Sequence, residues 1–361
     1  KKDYYNDPVI KPLFDRVFQG TYPPGSTYKP ITGMAALEAG INPNEKVLCR
    51  GSYWRPPYIR CWSVHGSVDF YSALAGSCNV YFQEAAHRAG IDKMVEVAQA
   101  FGMGEKTNTL GIINESSGLL PTPKWKKELY EASLGKKYEK KFNDLNKERM
   151  DKLSTASEEE KDKINRQYDS KKKTLEAQQK IDLNFYTRWQ PFDTYNISIG
   201  QGSNSFTLVQ LANLTATIAN GGRHYQPYLI DRIVSPDGQI VQKYTPKMLN
   251  KVPVSGVNLA HVKEGMRRVS EPGGTAYFLF HDIPAEVGAK TGTAQTNRVG
   301  DNKRKEFHGV FLAFTPVENP QIAFAGLVEY GQSGSGSAGH VAKAVFEEYY
   351  GLNKEEEPEN D

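Results

Sequence analysis

Three short strings in a fixed order constrain this chain more than any other feature: Ser26-Thr27-Tyr28-Lys29, Ser77-Cys78-Asn79 and Lys290-Thr291-Gly292. An isolated S-x-x-K is ordinarily a capping serine followed by a solvated lysine. Three such strings in order, each in a suitable local context, describe a site for acyl transfer. Pro23-Pro24-Gly25 ahead of Ser26, and Gly40 after Leu37, predict a helix started by a rigid turn and stopped by glycine. Ser26 then stands at the positive end of that helix, with Lys29 three residues on and facing the same way. A serine hydroxyl is a weak nucleophile and must lose its proton to a close base. A lysine that is desolvated, or set beside a second cation such as Lys290, has a lowered pKa and can take it.

The second string closes the small-residue helical stretch Tyr71 to Gly76 and falls at a turn before Val80-Tyr81-Phe82. Alternation across the tripeptide points Ser77 and Asn79 to one side and Cys78 to the other. Ser77 suits a proton relay between leaving group and lysines, and Asn79 suits a substrate amide; the plain alternative is a Ser/Asn helix cap. In the third region, Ala285 to Ala289 leads into a β-branched strand, Lys290-Thr291-Gly292-Thr293-Ala294. Gly292 lets a substrate approach the backbone and pair with the strand edge. Lys290 attracts a substrate carboxylate, and the hydroxyls of Thr291 and Thr293 are placed to bind it. Backbone N–H groups of Ser26 and Thr293 are the expected oxyanion hole, a device that contributes about 3 kcal/mol per donor. No Ser-His-Asp arrangement has a local signature here.

On these strings, together with Ser198-Ile199-Gly200-Gln201-Gly202, Ala219-Asn220-Gly221-Gly222 and Gly273-Gly274-Thr275-Ala276, the chain resembles the class B penicillin-binding proteins, monofunctional transpeptidases of the bacterial cell wall. The resemblance covers everything except about 65 residues in the middle. It implies an α+β fold of the penicillin-binding transpeptidase and serine β-lactamase type: an antiparallel sheet flanked by helices, with an all-helical subdomain. It also implies that Ser26 attacks the D-Ala-D-Ala end of a peptidoglycan stem peptide, releases D-alanine and forms an acyl-enzyme that a neighbouring amine resolves into a cross-link. β-Lactam antibiotics acylate the same serine. Gly118 to Lys126 and Trp189 to Thr194 look most like the elongation-type branch, which works with a membrane glycosyltransferase to set cell shape; division- and sporulation-type enzymes are close alternatives. A serine β-lactamase needs a base for deacylating water, and no string here matches one. A non-enzymatic β-lactam sensor resembles a different branch, without the SIGQG and GGTA strings.

Members of this family sit on the extracytoplasmic face of the membrane, held by one N-terminal helix and a pedestal domain. With Ser26 so near the start, and no run of about 18 apolar residues, residues 1–361 are expected to be a transpeptidase domain whose anchor, pedestal and first two sheet strands lie elsewhere in the protein. Three strands remain to be supplied here: Val287 to Thr296, about His308 to Phe314, and Ile322 to Tyr330. The segment 124–188 is different material, with 18 Lys and Arg and 13 Asp and Glu in 65 residues. The other 27 basic and 29 acidic residues leave the rest at −2, so the net charge of +3 comes from this segment, and no nucleic-acid partner is expected. Helically spaced Tyr138, Phe142, Leu145 and Leu153, then Ile164, Tyr168 and Leu175, with a capping box at Ser157 to Glu160, predict an antiparallel helical hairpin inserted in the domain.

All three cysteines fall in one window with a histidine: Cys49, Cys61, His65 and Cys78, spaced C-x11-C-x3-H-x12-C. Three thiolates and an imidazole suit a closed, structural zinc site that staples the Arg50 to Arg60 loop, a stretch that reads as having little core of its own. A Cys49–Cys61 disulfide with Cys78 free, or three unlinked thiols, are the alternatives in an extracytoplasmic protein. Histidines 87, 224, 261, 281, 308 and 340 have no cysteine near them and read as structural. Since Cys78 is the middle residue of the second string, a metal holding it would govern where Ser77 and Asn79 point.

Overall fold

The computed structural model describes Tyr5 and residues 11–112, 114–299 and 305–352, in two compact units. One comprises Lys1–Leu120 with Phe192–Asp361 and the other Pro121–Pro191.

In the larger unit, a 3-10 turn at Gly25–Tyr28 runs into helix α1 (Lys29–Glu38). Pro30 suits its first turn, where no N–H partner is needed. Lys29 to Leu37 are all buried, because small residues let neighbours close in on every side: a Cβ on Gly33 would stand 2.7 Å from the Phe70 ring. A ribbon of β1 (Val47–Cys49) and β2 (Gly66–Val68) precedes α2 (Phe70–Ala75), which starts from a capping box between Asp69 and Ser72. Helix α3 (Asn79–Ala100) follows Cys78 directly and is broken at Gly90, whose φ of 78° is not helical. It packs along α1.

The smaller unit is a helical hairpin of α4 (Pro123–Thr155) and α5 (Glu158–Tyr186), with the capping box at Ser157 and Glu160 in place. Its seam is less aliphatic than the spacing suggested. The most deeply buried residues are Tyr138 and Tyr168, with Leu134. Tyr138 donates to Asp182 at 2.7 Å, and Arg149 reaches Asn165 and Asp169 across the hairpin. Lys137 and Lys141 lie over the Tyr138 ring, Lys152 and Lys171 over that of Tyr168. Part of the segment's basic charge therefore roofs its own aromatic core.

Back in the larger unit come α6 (Pro191–Ser198), α7 (Leu208–Ala219) and two short ribbons, β3 (Arg223–Tyr225) with β6 (Met248–Lys251) and β4 (Arg232–Val234) with β5 (Ile240–Lys243). Helices α8 (Gly256–Arg268) and α9 (Tyr277–Phe280) lead into the main sheet, β7 (Gly288–Val299), β8 (Lys305–Thr315) and β9 (Ile322–Val328), antiparallel in that order. The strands lie where expected, with β7 running three residues past Thr296 and β9 ending two before Tyr330. Helix α10 (Ala338–Tyr349) closes the order. Alternation gives the sheet two faces. Ala289, Phe311 and Ala313 join Leu279, Phe280, Ala342 and Phe346 in a core of helices and strands, where each buried Phe contributes about 2–3 kcal/mol. Lys290 and Gly292, on the other face, look toward the serine turn.

Candidate active site

Ser26 lies part-exposed in the 3-10 turn, one turn ahead of Lys29, so a single helical element carries nucleophile and candidate base. Thr27 ties the turn by donating to the Pro24 carbonyl at 2.7 Å. β7 presses on the turn from the side. A Cβ on Gly292 would meet the Thr27 methyl at 2.8 Å and the Pro24 carbonyl at 2.9 Å, which is why the residue after Lys290-Thr291 has no side chain.

Lys29, fully buried, has three partners on the second string: the Ser77 carbonyl at 2.6 Å, the Ser77 hydroxyl at 3.0 Å and Asn79 Oδ1 at 2.8 Å. Lys290, also fully buried, reaches the same hydroxyl at 3.0 Å and the Thr291 carbonyl at 3.0 Å. Residues 48 and 213 positions apart from Ser77 thus meet on one oxygen. Burial lowers the Lys29 pKa to about 8, against the opposing pull of Cys61 and Cys78. Burial, and then the nearby Lys29 charge, hold Lys290 well below the ordinary lysine value. Both shifts favour a neutral amine, the form that can accept a proton.

Ser77 and Asn79 do point together and Cys78 does point away, but strand-like alternation is not the reason. Ser77 has a left-handed backbone, φ 55°, Cys78 is extended at ψ 113°, and Asn79 begins α3. The turn into a helix, not a strand, divides the side chains. A φ of this sign is uncommon for serine, and it is held by the contacts around it: Ser77 N–H to Leu74, Cys78 N–H to Ala73, and Lys29 on the Ser77 carbonyl.

Behind the string, Cys49, Cys61, His65 and Cys78 offer Sγ and ring nitrogen atoms all within 4.8 Å of one another, and the three thiols are free. His65 Nδ1 stands 3.6 Å from Cys49 Sγ and 3.5 Å from Cys61 Sγ. Tetrahedral zinc, with Zn–S of about 2.3 Å and Zn–N of about 2.0–2.1 Å, needs S and N roughly 3.6 Å apart. The donor set fits. His65 Nε2 lies 3.0 Å from the Gly76 carbonyl, which calls for a proton on Nε2 and leaves Nδ1 as a ligand atom. A hydrogen bond from Cys78, then backbone N–H groups of Ser63, Asn79 and Val80, hold the Cys61 thiol far below its ordinary pKa, and the same pairing pushes Cys78 up. Each of the four candidate ligands comes from a different local device: Cys49 ends β1, His65 precedes β2, Cys61 lies in the loop between them and Cys78 caps α3. That loop has more core than its composition suggested. Tyr53 is wholly buried and donates to Glu84 on α3 at 2.8 Å.

Four residues that composition and spacing did not single out also touch the site. Arg60 offers its carbonyl to Asn79 Nδ2 at 3.3 Å, and Trp62, next to Cys61, donates its indole N–H to the Ser77 carbonyl at 3.2 Å. Thr275 pairs its hydroxyl with that of Thr291 at 2.9 Å, and Gln201 donates to the Thr293 carbonyl at 3.3 Å. The GGTA and SIGQG strings were the available signal for the last two; nothing local marks Arg60 or Trp62. Among the histidines outside the cluster, His224 is held between Asn213 and Asn250, and His261 against Tyr71.

The family profile described as "Penicillin binding protein transpeptidase domain" matches residues 1–351. Peptidoglycan D,D-transpeptidase MrdA of Acinetobacter baumannii is 29% identical over 383 residues, covering 99% of this chain and 47% of that protein. A crystal structure of Pseudomonas aeruginosa PBP2 in complex with WCK 5153 is 31% identical with a TM-score of 0.71, over 98% of this chain and 67% of that one. PBP2 of Helicobacter pylori, in its complex with MreC, is 25% identical with a TM-score of 0.70, over 98% of this chain and 54% of that one. The chain spans about half the length of the curated relatives it matches.

Proposed function

The chain belongs to the penicillin-binding protein transpeptidase family, and on that premise we propose that it is the catalytic part of an elongation-type peptidoglycan D,D-transpeptidase, acting through a Ser26 acyl-enzyme. The observation that carries this reading is the Ser77 hydroxyl held between two buried lysines, one of them a single helical turn after Ser26. In acylation, the Ser26 hydroxyl adds to the carbonyl carbon of the penultimate D-alanine while its proton passes to the neutral amine of Lys29. The oxyanion forms against the N–H groups of Ser26 and Thr293. The C–N bond to the terminal D-alanine then breaks, and the departing nitrogen takes a proton relayed through the Ser77 hydroxyl. An ester on Ser26 remains, and D-alanine leaves. The amine of a neighbouring stem peptide adds to that ester, its proton travels the same relay in reverse, and Ser26 recovers its own. Asn79 holds a substrate amide, and Thr291 and Thr293 hold the terminal carboxylate opposite Lys290.

Elongation-type relatives named MrdA and PBP2 support the branch. In line with it we place the working site on the extracytoplasmic face of the cell membrane, where stem peptides are found, beside a glycosyltransferase that supplies glycan; the PBP2–MreC complex makes a scaffold protein of the MreC kind a further candidate partner.

Zinc, held by Cys49, Cys61, His65 and Cys78, would cross-link the loop to α3 and supply no open position for chemistry. Its consequence for catalysis runs through this chain's own atoms: the stapled loop presents the Arg60 carbonyl to Asn79 and the Trp62 indole to Ser77.

The reading is tested with a labelled penicillin and intact-mass measurement. One adduct per chain that Ser26→Ala abolishes and that persists for hours is expected; loss of the adduct within seconds would make the protein a β-lactamase instead. Cross-linked peptide dimers formed by the full-length protein would complete the case.

A further inference from the structure

The Ser198 to Gly202 string has no part in the chemistry above, yet it contacts both halves of the acyl-transfer centre. The Gly200 carbonyl accepts from the Gly25 N–H at 3.0 Å, immediately ahead of Ser26. Gly200 has a left-handed backbone, φ 70°, and any Cβ there would lie 1.9 Å from the Gly25 carbonyl. One residue on, Gln201 Nε2 donates to the Thr293 carbonyl at 3.3 Å, the long end of a normal bond. A Cβ on Gly25 would meet that same carbonyl at 2.7 Å. Buried Asn204 pins the loop by donating to the carbonyls of Ile197 and Gln201 at 3.1 and 3.4 Å.

These contacts fix which way the Thr293 peptide faces. In a β-strand the N–H and C=O of one residue point to the same edge. β7 pairs with β8 along one edge, Thr293 standing opposite Gly309. A Thr293 carbonyl that meets Gln201 and lies against Gly25 points to the other edge, and the Thr293 N–H points there with it, toward Ser26. The Thr291 carbonyl, bound by Lys290, shares that direction, as a two-residue period requires.

We propose that Gln201 is a positioning residue: its amide holds the Thr293 peptide so that the Thr293 N–H meets the acyl oxygen on Ser26. The inference rests on the acyl-transfer reading. The two oxyanion donors belong to different elements, a 3-10 turn and a strand edge, and their separation decides whether both reach one oxygen. The Gly200-Gln201 step bonds to both, to the turn through Gly25 and to the strand through Thr293. Only a donor serves at position 201. A carboxylate would face the Thr293 carbonyl with oxygen against oxygen, and a methionine of similar length would fill the space without bonding.

The test compares wild type, Gln201→Met, Gln201→Glu and Ser26→Ala. Stopped-flow acylation separates the encounter constant from the acylation step, and infrared difference spectra with a 13C-labelled penicillin read the ester carbonyl of the acyl-enzyme. Both Gln201 variants are expected to slow acylation about 10- to 100-fold, less than or comparable to deleting an oxyanion donor. The encounter constant and melting temperature should stay close to wild type. The ester carbonyl frequency should rise, because its hydrogen-bond donors pull less. An unchanged frequency overturns the proposal, whether acylation is normal or slowed in step with a falling melting temperature. Gln201→Glu keeps the proposal testable should Gln201→Met fail to fold. If wild-type protein shows no adduct that Ser26→Ala removes, the acyl-transfer reading itself fails, an outcome distinct from any result at Gln201.

Discussion

Ser77→Ala removes one oxygen and separates two lysines from their shared partner. With Nζ of Lys29 and of Lys290 each 3.0 Å from Ser77 Oγ, a near-tetrahedral angle at oxygen puts the two nitrogens about 5 Å apart. Two ammonium groups at that distance repel by about 3 kcal/mol at an effective dielectric of 20, equivalent to more than two pKa units. Added to burial, which lowers both lysines, that repulsion favours a pair that carries a single charge. The hydroxyl can then accept from the charged lysine and donate its single proton to the neutral one, which makes it a relay. Without it, neither lysine has a path to the leaving nitrogen. General acid–base assistance of this kind is worth about 10²- to 10⁴-fold, or about 3–5 kcal/mol of activation free energy. Stability should change much less, because Lys29 keeps the Ser77 carbonyl and Asn79, and Lys290 keeps the Thr291 carbonyl. The assay is stopped-flow acylation of wild type and Ser77→Ala by a chromogenic β-lactam, with melting temperatures in parallel. A thioester donor, whose leaving group needs no proton, should recover most of the loss. Acylation of Ser77→Ala within about threefold of wild type, or an equal loss with the thioester, refutes the relay.

The proposed zinc site predicts one zinc per chain by elemental analysis, and a chelator should lower both the melting temperature and the acylation rate; metal-free protein that acylates at the native rate would sever the link between the cluster and Ser77. Acylation should also depend on pH. The Lys29 pKa is lowered to about 8, so the reactive neutral form grows as pH rises, the rate climbing up to tenfold per unit below 8 and levelling above it; a rate flat from pH 6 to 9 contradicts Lys29 as the base. Gly200→Ala, which sets a Cβ 1.9 Å from the Gly25 carbonyl at φ 70°, should cost several kcal/mol, on the order of 3 or more, and depress acylation along with the melting temperature. An unchanged melting curve would mean that the Gly25–Gly200 approach is not maintained in solution.

The helical hairpin and the strands are legible in the sequence. The hairpin could be read because 3.6-residue periodicity, the Ser157 capping box and the lack of proline are local properties. The strands could be read because β-branched runs between Gly and Pro turns are local too. Its seam was read less well. Tyr138 bonded to Asp182, and lysines laid over tyrosine rings, depend on which residues face each other across two long helices. Arg60 and Trp62 were illegible for the same reason: one acts through a backbone carbonyl and the other through a contact 15 residues away, and neither leaves a mark in its own neighbourhood.

What the sequence determined by itself is the inventory: a serine and lysine one helical turn apart, a Ser-Cys-Asn turn, a Lys-Thr-Gly strand, and three cysteines with one histidine in a single window. Such groups are detectable because each obeys short-range rules of turns, helices and strands. Only the tertiary structure decided that Lys29 and Lys290 share one hydroxyl, that Ser77 takes a left-handed backbone with Cys78 turned toward Cys49, Cys61 and His65, and that Gln201 reaches the Thr293 carbonyl. The physical reason is that pKa, proton relay and oxyanion geometry depend on burial and on distances of about 3 Å between segments that the chain brings together only on folding.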